Sequence, residues 1–203
     1  MRKRWIALLG WAALLGACSA PTVPDFTYYR LPRPQPLPAD PAPLFSQALV
    51  VELFGAEGVY ADQALIYALD PGAQELRQYH YQMWTDSPSH ILQRRLIGLL
   101  RDAGVAARVT DELPASAQAA RVRGAILRLD RVPTADGGYH AVIGLRLRAD
   151  AGDGTPLLDE YYRAERPAAG RDLKATVDAY GAALDEIFAK FHNDLRRGST
   201  HAG

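Results

Sequence analysis

The residue with the clearest chemistry is Cys18, the only cysteine among 203 residues. It closes the tetrapeptide Leu15-Gly16-Ala17-Cys18, in which an aliphatic residue and two small residues precede a thiol. This pattern is typical of a bacterial lipobox: small residues let the backbone enter a narrow peptidase groove, and the thiol is the nucleophile that takes a diacylglycerol. We predict that Cys18 becomes the first residue of the mature chain and carries acyl chains such as palmitate.

The segment before Cys18 has the pattern of an export signal. Arg2, Lys3 and Arg4 are basic, and the uncharged run from Trp5 to Ala17 is 13 residues long. A membrane-spanning helix needs about 20 apolar residues, so residues 1–17 are predicted to be a signal peptide that is removed. A secretory signal with a chance cysteine is the alternative, which the position of Cys18 at the end of the apolar run disfavours. Two or more acyl chains anchor a protein stably.

The charge balance of the mature chain excludes broad classes of partner. Without the signal, 20 basic side chains face 23 acidic ones, a net charge of about −3. No basic excess or basic tract is present to neutralise phosphates, so no nucleic-acid partner is expected. With Cys18 lipidated no thiol remains for a disulfide, and stability must come from a packed core.

The chain offers no recognisable catalytic or metal-binding motif. The five histidines are predicted to lie in different elements without metal-ligand spacing. Asp159 and Glu160 are neighbours on a predicted strand and point to opposite faces, so they are not expected to act as an acid–base pair. The sequence therefore predicts a protein that is not an enzyme, with no metal and no cofactor other than the covalent lipid on Cys18.

Composition divides the mature chain into three parts. Residues 18–43 carry eight prolines, which favour extended, semi-rigid geometry, and are predicted to form a tether from the lipidated cysteine. Residues 25–31 within it are aromatic and could dock as an edge strand. Residues 44–197 are predicted to be one folded domain, and residues 198–203 a disordered tail.

Hydrophobic periodicity within residues 44–197 predicts strands, a helix, more strands and a second helix. Ser87 is expected to cap the first helix and Gly104 to end it. The predicted strands are 46–54, 60–70, 73–84, 106–110, 121–132, 138–150 and 156–166, and the second helix is 173–195. This order predicts a single α+β domain with a mixed or largely antiparallel sheet and two helices packed on one face. The other face would be solvated or covered by a partner.

Aromatic residues at the ends of the predicted strands carry a family resemblance. The runs YADQALIYAL (60–69) and QYHYQMWTDSPSHILQRRL (78–96) place Tyr60, Tyr67, Tyr79 and Trp84 before a proline, Pro88, at a helix start. With YYRL at 28–31 and the lipobox, this resembles the ABC-type transport auxiliary lipoproteins, which include the paraquat-inducible protein C-like lipoproteins. The resemblance covers about residues 26–195.

The resemblance implies a specific role. Such lipoproteins sit on the periplasmic face of the outer membrane and dock the conduit of an intermembrane lipid (phospholipid) transport system. Their partners would be an MCE-domain periplasmic protein and an inner-membrane ABC permease and ATPase. Ser19 after the lipidated cysteine, rather than aspartate, favours the outer membrane. A homo-oligomer, such as a ring around the conduit, is left open.

Two questions stay open at this point. The matched residues Tyr60, Tyr67, Tyr79, Trp84 and Pro88 could serve the core or a docking interface, and a core role is favoured. The function could also be that of a lipid-binding carrier with an acyl pocket, or of an envelope-assembly lipoprotein.

Overall fold

The computed structural model describes residues 24–114 and 117–201. Cys18 and the predicted signal peptide lie outside the described residues. The strands are β1 Thr27–Tyr29, β2 Ala48–Val51, β3 Gly55–Ala56, β4 Ala64–Ala68, β5 Leu76–Trp84, β6 Val109–Thr110, β7 Ala119–Pro133, β8 Tyr139–Asp150 and β9 Pro156–Pro167; the helices are α1 Pro88–Asp102 and α2 Leu173–His201.

Within the described residues, nine strands form one mixed, curled sheet organised around β7. Along one edge of β7 lie β2, β3 and β4, all parallel to it. Along the other edge β8 runs antiparallel, followed by β9. β5 pairs antiparallel with β4 and parallel with β1, and β6 pairs parallel with β2. The predicted α+β fold with a mixed sheet and two helices is confirmed.

The three antiparallel hairpins, β4–β5, β7–β8 and β8–β9, are joined by turns whose glycine and aspartate residues favour tight turns. Gly137 and Gly154 adopt positive φ values of 80° and 88° in the two turns of the β7–β8–β9 meander, which glycine permits at low cost. Between β4 and β5, the carboxylate of Asp70 accepts a hydrogen bond from the Gly72 amide at 2.7 Å. These local signals fix the register of the three hairpins.

The stretch from 55 to 63 differs from the strand predicted over 60–70. Residues Gly58–Tyr60 form a 3-10 turn, and β4 begins only at Ala64. Gly58 has φ of 58°, which redirects the chain. Gly55, directly after the strand predicted over 46–54, forms with Ala56 a two-residue strand that pairs with β7.

Helix α1 begins after Ser87 and ends before Gly104, as predicted. Its apolar face is buried, with Leu92, Leu96 and Leu100 at 1% exposure or less, and Gly104 ends it at φ 75°. The expected cap is wrong in detail: the Ser87 side chain makes no capping bond and instead lies 2.9 Å from the Nδ1 atom of His90.

Helix α2 is longer than the sequence predicts. It continues past Leu195 to His201, so residues 198–201 are helical where a disordered tail was expected. The physical reason is tertiary, because the helix end packs on β9 so closely that a Cβ at Gly198 would lie 2.9 Å from the Leu157 carbonyl oxygen.

The described part of the proline-rich segment, residues 24–43, contains no helix, and from Thr27 onward it lies on the domain. β1 pairs with β5, as expected of an edge strand. Pro32 touches the position of Gly181 on α2, where a Cβ would lie 2.3 Å from the proline ring. We call residues 30–43 the strap, because they run across both helices to Leu44.

The main core fills the space between one face of the sheet and the two helices. Its fully buried members include Ile143, Leu145 and Leu147 of β8 and Leu184 and Phe188 of α2. Among the described residues, no helix has an apolar stretch long enough to cross a membrane.

Candidate functional site

Three of the five family-pattern residues converge on two adjacent residues of β7. Tyr60 ends the 3-10 turn, Tyr67 lies in β4 and Tyr79 in β5. The β7 residues that they surround are Asp130 and Arg131, which are 1% and 7% exposed. We call this group the β7 polar cluster.

The Asp130 carboxylate is held by two donors. The Tyr60 hydroxyl donates to one oxygen at 2.7 Å, and the Arg128 Nε donates to the other at 2.8 Å. Burial, followed by the bond to Asp130, raises the pKa of Tyr60 far above its ordinary value. Tyr60 therefore stays a neutral hydrogen-bond donor over the physiological pH range.

Arg131 connects four elements of the fold. Its Nη1 donates to the Tyr79 hydroxyl at 2.7 Å, its Nε to the Thr176 hydroxyl at 3.1 Å, and its Nη2 to the Arg171 carbonyl at 2.5 Å. The guanidinium also lies 3.3 Å from the ring centroid of Tyr139, a cation–π contact. One buried guanidinium thereby links β5, β7, β8 and the start of α2.

The aromatic rings complete the packing around this cluster. Tyr67 stacks on Tyr79 with ring centroids 4.4 Å apart, and Trp84 meets Tyr180 edge to face at 5.6 Å. Tyr180 is 1% exposed, and burial raises its pKa well above the ordinary value. Pro88, the first residue of α1, is also buried.

This arrangement stabilises the fold and offers little for a reaction. The two oxygens of Asp130 and all three donor nitrogens of Arg131 have partners. In the described part of the chain, no three His, Cys, Asp or Glu side chains lie close enough together to hold a metal ion. Whether the family-pattern residues also touch a partner stays a prediction.

A second buried polar site joins the strap to α2. The Nε2 of His192 lies 2.7 Å from Oδ2 of Asp40, and both side chains are fully buried. Arg196 Nε lies 3.1 Å from the other oxygen of Asp40. Because Asp40 belongs to the strap, this contact fastens the N-terminal segment to the last helix.

The solvent-facing side of the β7–β9 meander carries ion pairs. Arg146 binds Asp159 through two hydrogen bonds, of 2.7 and 2.9 Å. Asp150, which is itself only 5% exposed, accepts from the partly exposed Arg148 of its own strand and from the exposed Arg123 of β7. We call this the outer ion-pair face; charged side chains keep it solvated.

Sequence reasoning missed Asp130 and Arg131 as the centre of the cluster. The available signal was an acidic and a basic residue side by side near the end of the β7 sequence RVRGAILRLDRV. A half-buried strand hides only alternate residues, so the pattern alone places one of the two in solvent. The strand is instead covered on both sides at this point.

A known protein family matches most of this chain. The model of a family described as ABC-type transport auxiliary lipoprotein component matches residues 29–190. That description names a transport component and no enzymatic activity. None of the curated proteins matches the chain.

Solved structures share the fold at low sequence identity. A crystal structure of a Xanthomonas campestris protein of the DUF330 family has a TM-score of 0.73 at 18% identity, covering 87% of this chain and 98% of that one. A second crystal structure, of an uncharacterized protein, has a TM-score of 0.67 at 14% identity, covering 85% and 99%. These likenesses show a common architecture.

Proposed function

The chain belongs to the family of ABC-type transport auxiliary lipoproteins, and we propose that it is the membrane-anchored component of a system that moves phospholipids across the periplasm. It would dock an MCE-domain periplasmic protein that works with an ABC permease and ATPase of the inner membrane. The chain itself would carry out no reaction and need no cofactor. The observation that carries this proposal is the family match over 29–190, which spans nearly all of the folded domain.

The proposed anchor is the lipid on Cys18, with Ser19 directing the protein to the periplasmic face of the outer membrane. Residues 1–17 would be removed as the signal peptide. Residues 18–43 would then link the anchor to the domain at 44–197. The contacts of the strap support a short connection: Asp40 is bound to His192, and the Pro32 carbonyl accepts from Arg95, so only the residues before Thr27 are left to span the distance to the membrane.

We assign the family-pattern residues mainly to the architecture of the domain. Tyr60 and Tyr79 bind Asp130 and Arg131, and Trp84 is 3% exposed. Their hydroxyl groups and rings are already engaged, which supports a core role. A docking role would then fall to exposed residues of the surface.

The carrier alternative finds little support in the interior. The apolar cavity lined by Leu31, Trp84, Leu92 and Leu184 has a volume of about 10 Å³. That is roughly the space of one water molecule, and an acyl chain is far larger. An envelope-assembly role differs from the proposal in its partners, so the partners decide between them.

The direct test is crosslinking of the lipidated protein in intact cells, followed by mass spectrometry of the captured proteins. Recovery of an MCE-domain protein is expected, and copies of the chain crosslinked to one another would reveal a homo-oligomer. The matched control is Cys18→Ser, which should lose the acyl label and leave the outer-membrane fraction. Capture of cell-wall or outer-membrane assembly proteins alone would overturn the transport role while leaving the lipid anchor intact.

A further inference from the structure

A groove separates the first part of the strap from helix α1. Its volume is about 540 Å³. One wall is formed by residues 30–34 and the other by the face of α1 that carries Ile91, Arg94 and Gly98. The groove is distinct from the β7 polar cluster, whose residues do not line it.

Four arginines line this groove: Arg30, Arg33, Arg94 and Arg95. Arg94 pairs with Asp86, which lies outside the groove. Arg30 and Arg33 are exposed, and neither has an ion-pair or hydrogen-bond partner among the described residues. Asp102 is the one acidic side chain of the described lining. The groove therefore presents guanidinium groups that are free to bind an anion.

Arg95 shows that the groove is built around cationic side chains. Its side chain is 6% exposed; it pairs with Asp185 at 2.7 Å and donates to the Pro32 carbonyl at 2.7 Å. These two bonds fix the strap as a wall of the groove. The Nε of Arg95 is buried and has no hydrogen-bond partner in the described structure, so one donor of this buried guanidinium is left unsatisfied.

The remaining lining is apolar. Leu31, Pro32, Ile91 and Leu99 contribute hydrocarbon surface. At Gly98 a Cβ would meet no atom within 4 Å, so the missing side chain leaves the groove open. A ligand that fits must combine an anionic group, which arginine binds through paired N–H donors, with adjoining apolar surface.

We propose that this groove binds the headgroup of an anionic glycerophospholipid from the membrane that holds the anchor. The inference rests on the proposed lipidation of Cys18. The six peptide steps from Cys18 to Pro24 span at most about 20 Å, so the anchor would hold Pro24, six residues before Arg30, within that distance of the lipid surface. Residues 18–23 (CSAPTV) contain no acidic side chain, and Asp25, the one acidic residue between Cys18 and Arg30, is exposed and does not line the groove.

Binding would orient the domain on its membrane. The lipid anchor would limit the distance of the domain from the bilayer. Headgroup binding in the groove would turn the side of the domain that carries the groove toward the bilayer. Basic side chains attract anionic lipid surfaces over about a Debye length. The outer ion-pair face, whose arginines are already paired with carboxylates, would not compete for the headgroups.

The test uses the full lipidated protein in cells with a photoreactive amino acid in place of Asp102, at the groove, or of Tyr161, on the outer ion-pair face. Phospholipid adducts identified by mass spectrometry are expected at position 102 and not at position 161. The double variant Arg30→Glu/Arg33→Glu should reduce the adducts at 102 at least about fivefold, since neither arginine has a partner to lose. Gly98→Trp should do the same by filling the groove, whereas Gly98→Ala should leave the adducts unchanged.

The other outcomes overturn the proposal. Equal adducts at 102 and 161, equal adducts in the Arg30→Glu/Arg33→Glu variant, or only protein adducts at 102 would each show that the groove is not a headgroup site. A failure of the anchor itself is distinguishable, because it would appear as loss of acyl label on Cys18. A failure of the transport role would appear as absence of the MCE-domain partner while the lipid adducts persist.

Discussion

The β7 polar cluster and the outer ion-pair face both contain paired arginine and aspartate side chains of one sheet and share strand β7, yet they differ in what holds those side chains. Arg131 is 7% exposed and binds three groups from other elements. The Arg146 side chain is 63% exposed and binds one carboxylate on the next strand. A charged side chain shapes the fold where it is buried and satisfied, and mainly keeps the surface solvated where water can replace its partner.

The strap is also held by a buried polar pair, in which Oδ1 of Asp40 and Nδ1 of His192 make no hydrogen bond among the described residues. Asp40 and His192 are far apart in sequence and fully buried together. Both buried sites join segments that no local interaction would bring together, whereas the outer pairs lie within one strand or join neighbouring strands that are already hydrogen-bonded. We therefore expect substitutions at the two buried sites to lower the free energy of unfolding strongly, and substitutions on the outer ion-pair face to lower it little.

The largest expected effect is at the centre of the cluster. Arg131→Ala should lower the free energy of unfolding by about 3 kcal/mol or more, since it leaves buried partners without their donor. Urea unfolding of the variant measures this. Arg131→Lys keeps the positive charge but loses the several N–H donors of the guanidinium, so its free energy of unfolding should lie between those of the wild type and Arg131→Ala. A loss below about 1 kcal/mol for Arg131→Ala would contradict the comparison.

Loss of the buried contact between the strap and α2 should lower the free energy of unfolding nearly as much. Asp40→Ala removes the partner of the buried His192, and we expect a loss of about 2–3 kcal/mol. Hydrogen exchange should also become faster in residues 27–43 than in β7–β9, because the strap would detach locally. Asp102→Ala, at an exposed acidic residue of α1, is the control and should change neither measurement.

The same substitution at a half-buried and at an exposed tyrosine tests whether burial, and not residue type, determines the loss of stability. Tyr60→Phe removes the hydroxyl that donates to buried Asp130 and should cost about 1–2 kcal/mol. Tyr161→Phe, on the outer ion-pair face where the ring is 51% exposed, should leave the midpoint of urea unfolding unchanged. Equal effects in the two variants would remove the distinction between the two regions.

The two regions should also respond to opposite ends of the pH scale. The pKa values of Tyr60 and Tyr79 are raised by burial, so their stabilisation is complete below about pH 10 and is lost as the pH rises through the folded-state values. On the outer ion-pair face and at the neighbouring pair of His140 in β8 with Glu165 in β9, the pKa values of Asp159 and Glu165 are lowered by hydrogen bonds from Arg146 and His140 respectively. Their smaller contribution is lost as the pH falls below the ordinary carboxylate range.

Stability measured by urea unfolding across pH tests this contrast. Tyr60→Phe should flatten the alkaline decline and leave the acid side unchanged. Asp159→Asn should affect only the acid side. An alkaline decline that is unchanged in Tyr60→Phe would show that this tyrosine does not report on the cluster.

The smallest effect is expected for the Arg146–Asp159 pair. A double-mutant cycle with Arg146→Ala and Asp159→Ala should give a coupling within experimental error at physiological salt, because the pair is solvated and screened. The same cycle at low salt should give a larger coupling. A coupling that is insensitive to salt would mean that the outer ion-pair face is covered by a partner.

The sequence by itself determined the local elements and the family. Turn residues such as Gly137 and Gly154, the apolar stripe of α1 and the alternation in β8 are local patterns, and each produced the element that it predicts. The prediction of an auxiliary lipoprotein with an α+β domain follows from these patterns and from the spacing of aromatic residues, and is confirmed by the family match and the fold. The lipid on Cys18 stays a prediction.

Tertiary structure alone decided which residues of those elements meet. The parallel pairings of β7 with β2, β3 and β4, the burial of both Asp130 and Arg131, and the contact of Asp40 with His192 join residues far apart in the chain. Hydrophobic periodicity predicts that a strand has one buried and one solvent-facing side. It cannot predict a strand whose two sides are both buried by other elements, as at Asp130 and Arg131. The continuation of α2 to His201 depends likewise on the Leu157 backbone, because packing against a distant strand overrides the weak helical preference of its last turn.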